Sequence, residues 1–196
     1  MGRQQRYDRT ESVEKAMNLF WRNGFSGTSM RDLGECLDMR PGSIYANFGN
    51  KEQLYRESMD LYAANIFHDF QYYMKNADTF MEGLENFIRH ILFDQDIPSV
   101  CMLTKTLADI NPDHEALKEK SGHMISGFEC LIITELDRAK AGGQINDNCD
   151  TISLARYILI QFIGLRSYAE MQKSQAVINE LLHDMCTAIQ NKAQKN

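Results

Sequence analysis

An all-α fold is what this 196-residue sequence predicts: an N-terminal head of three helices containing a helix-turn-helix, followed by a larger helical body. Three observations carry that expectation. Proline occurs only three times, while Leu, Met, Ala, Glu and Lys are abundant and runs of Val or Thr are scarce. Apolar residues recur at spacings of three and four along most of the chain. Between Gly24 and Tyr55 two short helical stretches are joined by a tight turn and followed at once by a third.

The first helix is expected over about 8–23, with Val13, Ala16, Met17 and Phe20 on one face and Gly24 as its stop. The next opens at Thr28 or Ser29, where Ser29-x-x-Asp32 has the pattern of a capping box, and Met30, Leu33 and Leu37 line its inner side. Asp38-Met39-Arg40 makes the connection. Pro41 suits a first helical position, since its missing N–H costs nothing there and its φ is already helical. Over 41–48, Ile44 and Phe48 share the buried face and leave Ser43, Tyr45, Ala46 and Asn47 pointing elsewhere. Gly49 ends that helix, and Asn50-x-x-Gln53 caps one running over about 51–75, which links head to body mechanically. Further helices are expected at about 78–94, 99–110, 112–141, 151–171 and 174–192, with breaks at Ile97-Pro98, Asn111-Pro112 and Ala141-Gly142-Gly143.

A helix-turn-helix places its second helix in the major groove of double-stranded DNA, with the N-terminal residues nearest the bases. Arg40, Gly42 and Ser43 occupy that entry. Arg40 is the long donor there and has two candidate partners, a guanine O6/N7 edge or a phosphate. The head resembles the DNA-binding domain of the TetR family of one-component repressors over roughly residues 8–56. The resemblance rests on Gly24-Phe25-x-x-Thr28-Ser29, Pro41-Gly42-Ser43-Ile44-Tyr45-x-x-Phe48 and Lys51-Glu52-x-Leu54. Ala46 departs from the family pattern, where a larger polar or aromatic residue is frequent. The resemblance implies that Tyr45 and Lys51 grip the DNA backbone. Thr28 or Ser29, at a helix N-terminus, would favour a phosphate. Asn47 could face backbone or base. It further implies a helix-turn-helix DNA-binding domain over 1–56, a ligand-binding and dimerisation domain over 57–196, a homodimer, a palindromic operator and a small-molecule inducer.

The formal charge of −6 is unevenly distributed: residues 1–56 carry +2 and residues 57–196 carry −8. A basic head and an acidic body suit phosphate contact at one end, although +2 alone is within ordinary scatter. The longest apolar run, 152–165, is interrupted by Arg156 and Gln161 and falls short of a membrane span, and the start is too polar for a secretion signal. A cytoplasmic protein without membrane contact is expected. Five widely spaced cysteines with no C-x-x-C pair argue against a disulfide framework or a metal site, and no cofactor motif is present.

In the body, candidate pocket residues are Phe67, Phe70, Phe87, His90, Cys101, Met102, Thr106, His123, Phe128 and Gln161; residues of these kinds are more often plain core than ligand contacts. The last two helices are expected to form the dimer seam through Ile158, Phe162, Leu182, Met185 and Ile189. Ser99-Val-Cys101-Met-Leu-Thr-Lys-Thr-Leu-Ala108-Asp resembles the electrophile-responsive subgroup of the family, in which a Cys begins the sixth helix, with Val100 replacing the usual Gly. A Cys at a helix start, with Lys105 one turn on, is favoured as thiolate; the alternative is a small buried hydrophobe. Two rival functions remain at this level. One is an architectural DNA-binding protein without sensing; the other is a thiol enzyme built from Cys101 and His90, His114 or His123.

Overall fold

The computed structural model describes residues 8–94, 97–98, 100–111, 114–172 and 174–194. Among them are nine helices and no strand: α1 (Arg9–Asn23), α2 (Met30–Leu37), α3 (Pro41–Phe48), α4 (Lys51–Lys75), α5 (Phe80–Phe93), α6 (Met102–Asp109), α7 (Glu115–Ala141), α8 (Thr151–Met171) and α9 (Gln175–Ala193).

Local chemistry sets the ends of these helices. Asp8 caps α1 by accepting from the N–H groups of Thr10 and Glu11, and Thr79 and Asp150 do the same for α5 and α8. Gly24 (φ 77°) and Gly49 (φ 80°) close α1 and α3 in a backbone region that a side chain would strain. The expected helices at 99–110 and 112–141 both begin later than anticipated, at Met102 and Glu115. Ser99 and Pro112, which framed those expectations, lie outside the described residues.

Helices α1–α3 fold against the first half of α4. Phe20, Leu33, Ile44, Phe48, Leu54 and Tyr55 are essentially buried there, and Phe20 and Phe25 meet the Tyr55 ring edge-on at 4.8 and 5.0 Å. Each such side chain removed from water contributes roughly 1.5–3 kcal/mol before entropy is subtracted, and each edge-on aromatic pair about 0.5–1.5 kcal/mol more. The second half of α4 belongs to the body, where Phe70 packs edge-on against Phe87 and Phe128, and Phe162 closes the cluster from α8. One continuous helix therefore runs through a hydrophobic core that is unbroken from head to body.

Candidate nucleic-acid interface and sensing cavity

The turn between α2 and α3 is built by Asp38, the one non-glycine residue with positive φ (50°) among the described residues, with Met39 N–H bonded to Gly34 O at 2.9 Å. Ser29 opens α2 with a complete capping box: its Oγ accepts from Asp32 N–H at 3.1 Å, and the Asp32 carboxylate accepts from Ser29 N–H at 2.7 Å. That second bond holds the Asp32 carboxyl below its usual range. Asn50 caps α4 through Gln53 N–H at 2.8 Å. Three helix N-termini, those of α2, α3 and α4, are thus assembled within one small head, each with its partial positive charge.

On α3 the inner face is Ile44 and Phe48, and Arg40, Gly42, Ser43 and Asn47 are exposed with Tyr45, whose ring is 51% exposed. A Cβ added to Gly42 would meet nothing within 4 Å, so packing inside the chain does not require glycine there. Asn47 is not fully available, because its Nδ2 donates to Ser43 O at 2.7 Å. Lys51 lies half-buried with its ammonium 4.2 Å from the Phe25 ring centroid, and burial lowers its pKa from the ordinary lysine range. Thr28 is a correction. It is fully buried and its hydroxyl donates to Gly24 O at 2.8 Å, a loop-closing role that leaves Ser29 as the cap and removes Thr28 from the outer surface.

In the body, a cavity of about 30 Å³ lies between α4, α6, α7 and α8. Its walls are Tyr62, Ala63, Ile66 and Phe67; Cys101, Leu103 and Thr104; Ile125 and Phe128; and Leu159, Phe162, Ile163 and Arg166. Of the ten expected pocket residues, Phe67, Cys101 and Phe128 are on this wall. Phe70 and Phe87 are aromatic core, Met102 packs inward, and Thr106 is buried with its hydroxyl 2.6 Å from Tyr55 Oη. His123 is exposed, His90 stands near Asp69 and Asp94, and Gln161 is off the wall. Helical spacing finds inward faces, but only the crossing of four helices decides which inward residues border a void.

The expected dimer seam is likewise corrected. Ile158, Phe162, Leu182, Met185 and Ile189 are all buried within a single protomer, Phe162 on the cavity wall, so they serve the protomer's own core. The large apolar side chains that α8 and α9 leave in solvent are Ile152, Ile160 (67% exposed), Tyr168, Met171 (73% exposed) and Leu181.

Cys101 is the N-cap of α6, one step before the first turn, and its Sγ accepts from Tyr62 Oη at 3.4 Å. Lys105 does not turn toward it: its Nζ donates to Arg22 O at 2.8 Å and Trp21 O at 3.4 Å, the carbonyls that end α1. Spacing along the sequence does not single out Trp21, Tyr62 or Arg166, and it pairs Lys105 with the thiol where the structure pairs it with Arg22 O. An arginine at the end of the apolar stretch of α8, 1% exposed in the fold, was the one available signal.

A box-capped α2 followed by an α3 with an outward polar face, joined through one long helix to a helical body with an apolar cavity, defines the helix-turn-helix class of transcriptional regulators. Residues 13–58 match the family described as bacterial regulatory proteins, tetR family. Those residues form a tetR-family DNA-binding domain, and the chain is a transcriptional regulator similar along most of its length to TetR-family proteins. It is 28% identical over 191 residues to the HTH-type transcriptional repressor ComR of Escherichia coli (strain K12), covering 92% of this chain and 90% of that protein. Over 124 residues it is 26% identical to IcaR of Staphylococcus epidermidis, the negative regulator of the biofilm operon icaADBC, covering 63% of this chain and 64% of IcaR. Its fold matches the TetR regulator CifR, solved as a cysteine mutant complexed with a 26-bp operator, with a TM-score of 0.87 at 24% identity over 95% of this chain and 99% of CifR.

Proposed function

We propose that this chain is a dimeric cytoplasmic repressor that binds a near-palindromic operator through α2 and α3 and leaves it when the body cavity changes state. The observation that carries the reading is the outer face of α3, where exposed Arg40, Ser43 and Tyr45 flank a glycine that the protein's own packing does not require. Arg40 reads a base edge or a neighbouring phosphate, Tyr45 and Lys51 hold the DNA backbone, and the Ser29 helix start receives a phosphate. Gly42 allows close approach, and Asn47 contributes only by giving up its bond to Ser43. We divide the chain at 56/57, inside α4, so that the dividing helix is also the transmitting one.

Two copies would meet across the exposed stripe Ile160, Gly164, Tyr168 and Met171 of α8 with Leu181 of α9, where a Cβ on Gly164 would meet nothing within the protomer. No helix among the described residues is long and apolar enough to cross a membrane.

For the signal, Cys101 is the switch thiol we favour. A cavity of about 30 Å³ has room for roughly two water molecules, so a non-covalent inducer of ordinary size has to separate the walls, whereas a small reagent attached to Cys101 is already at the wall. The test has two parts. Fragments selected from a random DNA library should be near-palindromic and bind, by fluorescence anisotropy at physiological salt, at least 100-fold tighter than random DNA; equal affinity for both ends the proposal. A thiol-reactive reagent should release operator from the wild type but not from Cys101→Ser, and equal release from both would leave a non-covalent inducer in its place.

A further inference from the structure

Tyr62 lies where cavity, thiol and head meet. Its hydroxyl is bonded on two sides, to Cys101 Sγ at 3.4 Å and to Arg166 Nη1 at 3.1 Å. A guanidinium only donates, so the tyrosine oxygen accepts from Arg166 and its own proton is directed at the sulfur. Burial pushes the Tyr62 phenol above its ordinary range, which keeps that proton in place. Arg166 is fixed in turn by Pro98 O at 3.1 Å and by the Phe162 ring, 5.4 Å from its guanidinium carbon. On its other side the Tyr62 ring stands edge-on to Trp21 of α1, centroids 4.6 Å apart at 80°. Trp21 Nε1 donates at 2.6 Å to the carbonyl of Val100, the residue bonded to Cys101. The path Cys101, Tyr62, Trp21, Val100 and back to Cys101 closes on itself, with three members in the body and one in the head.

We propose that this closed loop carries the covalent state of Cys101 to the DNA-reading head, with Tyr62 as the positioning residue between them. The inference rests on Cys101 being the switch thiol. With a small α,β-unsaturated carbonyl compound, the thiol adds across the C=C bond. An S–C bond forms at the β-carbon, the C=C π bond is lost, and the thiol proton ends on the α-carbon. The new substituent crowds the wall that Cys101 shares with Tyr62, Phe128 and Arg166, and in this proposal Tyr62 is the side chain that moves. Movement of Tyr62 alters its edge contact with Trp21, and Trp21 belongs to the carboxyl-terminal turn of α1, which packs on α4.

The experiment uses the full-length protein with acrylamide as probe. Adduct formation at Cys101 is followed by mass spectrometry, the loop by the emission of Trp21, which is the single tryptophan, and function by anisotropy on the selected operator. Labelled wild type should show altered Trp21 emission and at least tenfold weaker operator binding than unlabelled. Labelled and unlabelled Tyr62→Leu should differ less than twofold in both readouts. Trp21→Phe, which lacks the indole donor, should likewise keep its operator when labelled, and it decides alone if Tyr62→Leu does not fold. Release at the wild-type level by labelled, folded Tyr62→Leu or by labelled Trp21→Phe overturns the inference and leaves the switch thiol standing. Release from Cys101→Ser would instead overturn the switch reading itself.

Discussion

Arg40 and Lys51 illustrate how burial sorts side chains of the same charge. Arg40 is exposed at the start of α3 without a side-chain cap bond, so its guanidinium is available to a base edge or a phosphate. Lys51 is held over the Phe25 ring, and in its proposed role a phosphate's charge would offset the burial that lowers its pKa. Lys51→Ala should weaken binding evenly across DNA sequences and reduce the salt slope by about one, whereas Arg40→Ala should change preference at particular base positions. Anisotropy titrations at several salt concentrations, on selected and random DNA, measure both. A second residue-scale prediction concerns Glu52, which accepts from Arg56 Nη2 at 2.7 Å and pairs with His114 Nδ1 at 2.9 Å; the Arg56 bond, then the His114 bond, holds its carboxyl below the usual range. A lowered folded pKa means that the carboxylate's contribution is complete above the ordinary value of about 4.3 and disappears as pH falls through the folded value. Thermal melts should therefore show wild type losing its advantage over Glu52→Gln on acidification below about pH 4.

At the scale of elements, α6 is the short piece that meets α1, α4 and α7 together. Its N-cap borders the cavity, Ser121 of α7 donates to Leu103 O at 2.7 Å, Thr106 meets Tyr55 of α4, and Lys105 binds the last carbonyls of α1. A cation at a helix C-terminus contributes roughly 0.3–1 kcal/mol through the helix dipole. Lys105→Met should lower the melting temperature by about 1–4 °C. Amide exchange should speed up at the end of α1 without a matching change in α8 and α9, and uniform acceleration would mean that the contact is not specific to that junction. The same element shows how far periodicity goes. The Cys-led start of α6 is legible through the family resemblance, while spacing alone begins the helix at Ser99; that Lys105 faces the head and not the thiol is not legible, because that direction is set by where α1 ends in space.

For the whole molecule, the corrected seam separates two kinds of apolar residue on α8. Ile160 and Met171 are exposed and available to a second copy, while Phe162 lies in the protomer core. Ile160→Glu with Met171→Glu should give a folded monomer by light scattering and lose tight operator binding, since each half-site alone makes half the contacts. Phe162→Glu should instead give insoluble or unfolded protein, because a charge placed in an apolar cluster has no partner. A folded, dimeric Ile160→Glu/Met171→Glu variant would place the seam on another face.

Sequence by itself determined the helical fold, the order of the helices and the reading head, because caps, turns and apolar spacing are local properties: Ser29 with Asp32, Pro41 at a first helical position, Ile44 with Phe48, Gly49 as a stop. It determined the resemblance of the head to the tetR-family domain for the same reason, since the matching residues lie within one short stretch. Tertiary structure decided which apolar residues are core, cavity wall or open surface. Periodicity marks a face of a helix but not its neighbour, so Phe70 and Phe67 are alike in sequence and differ in what they border, and Ile158 and Ile160 are two residues apart and point into and away from the protomer. It also decided the fate of the polar groups. Thr28 turned inward to a carbonyl, Lys105 capped a helix 83 residues away, and Arg166 went into the core to hold Tyr62, since a buried donor must find its acceptor wherever the packed chain supplies one.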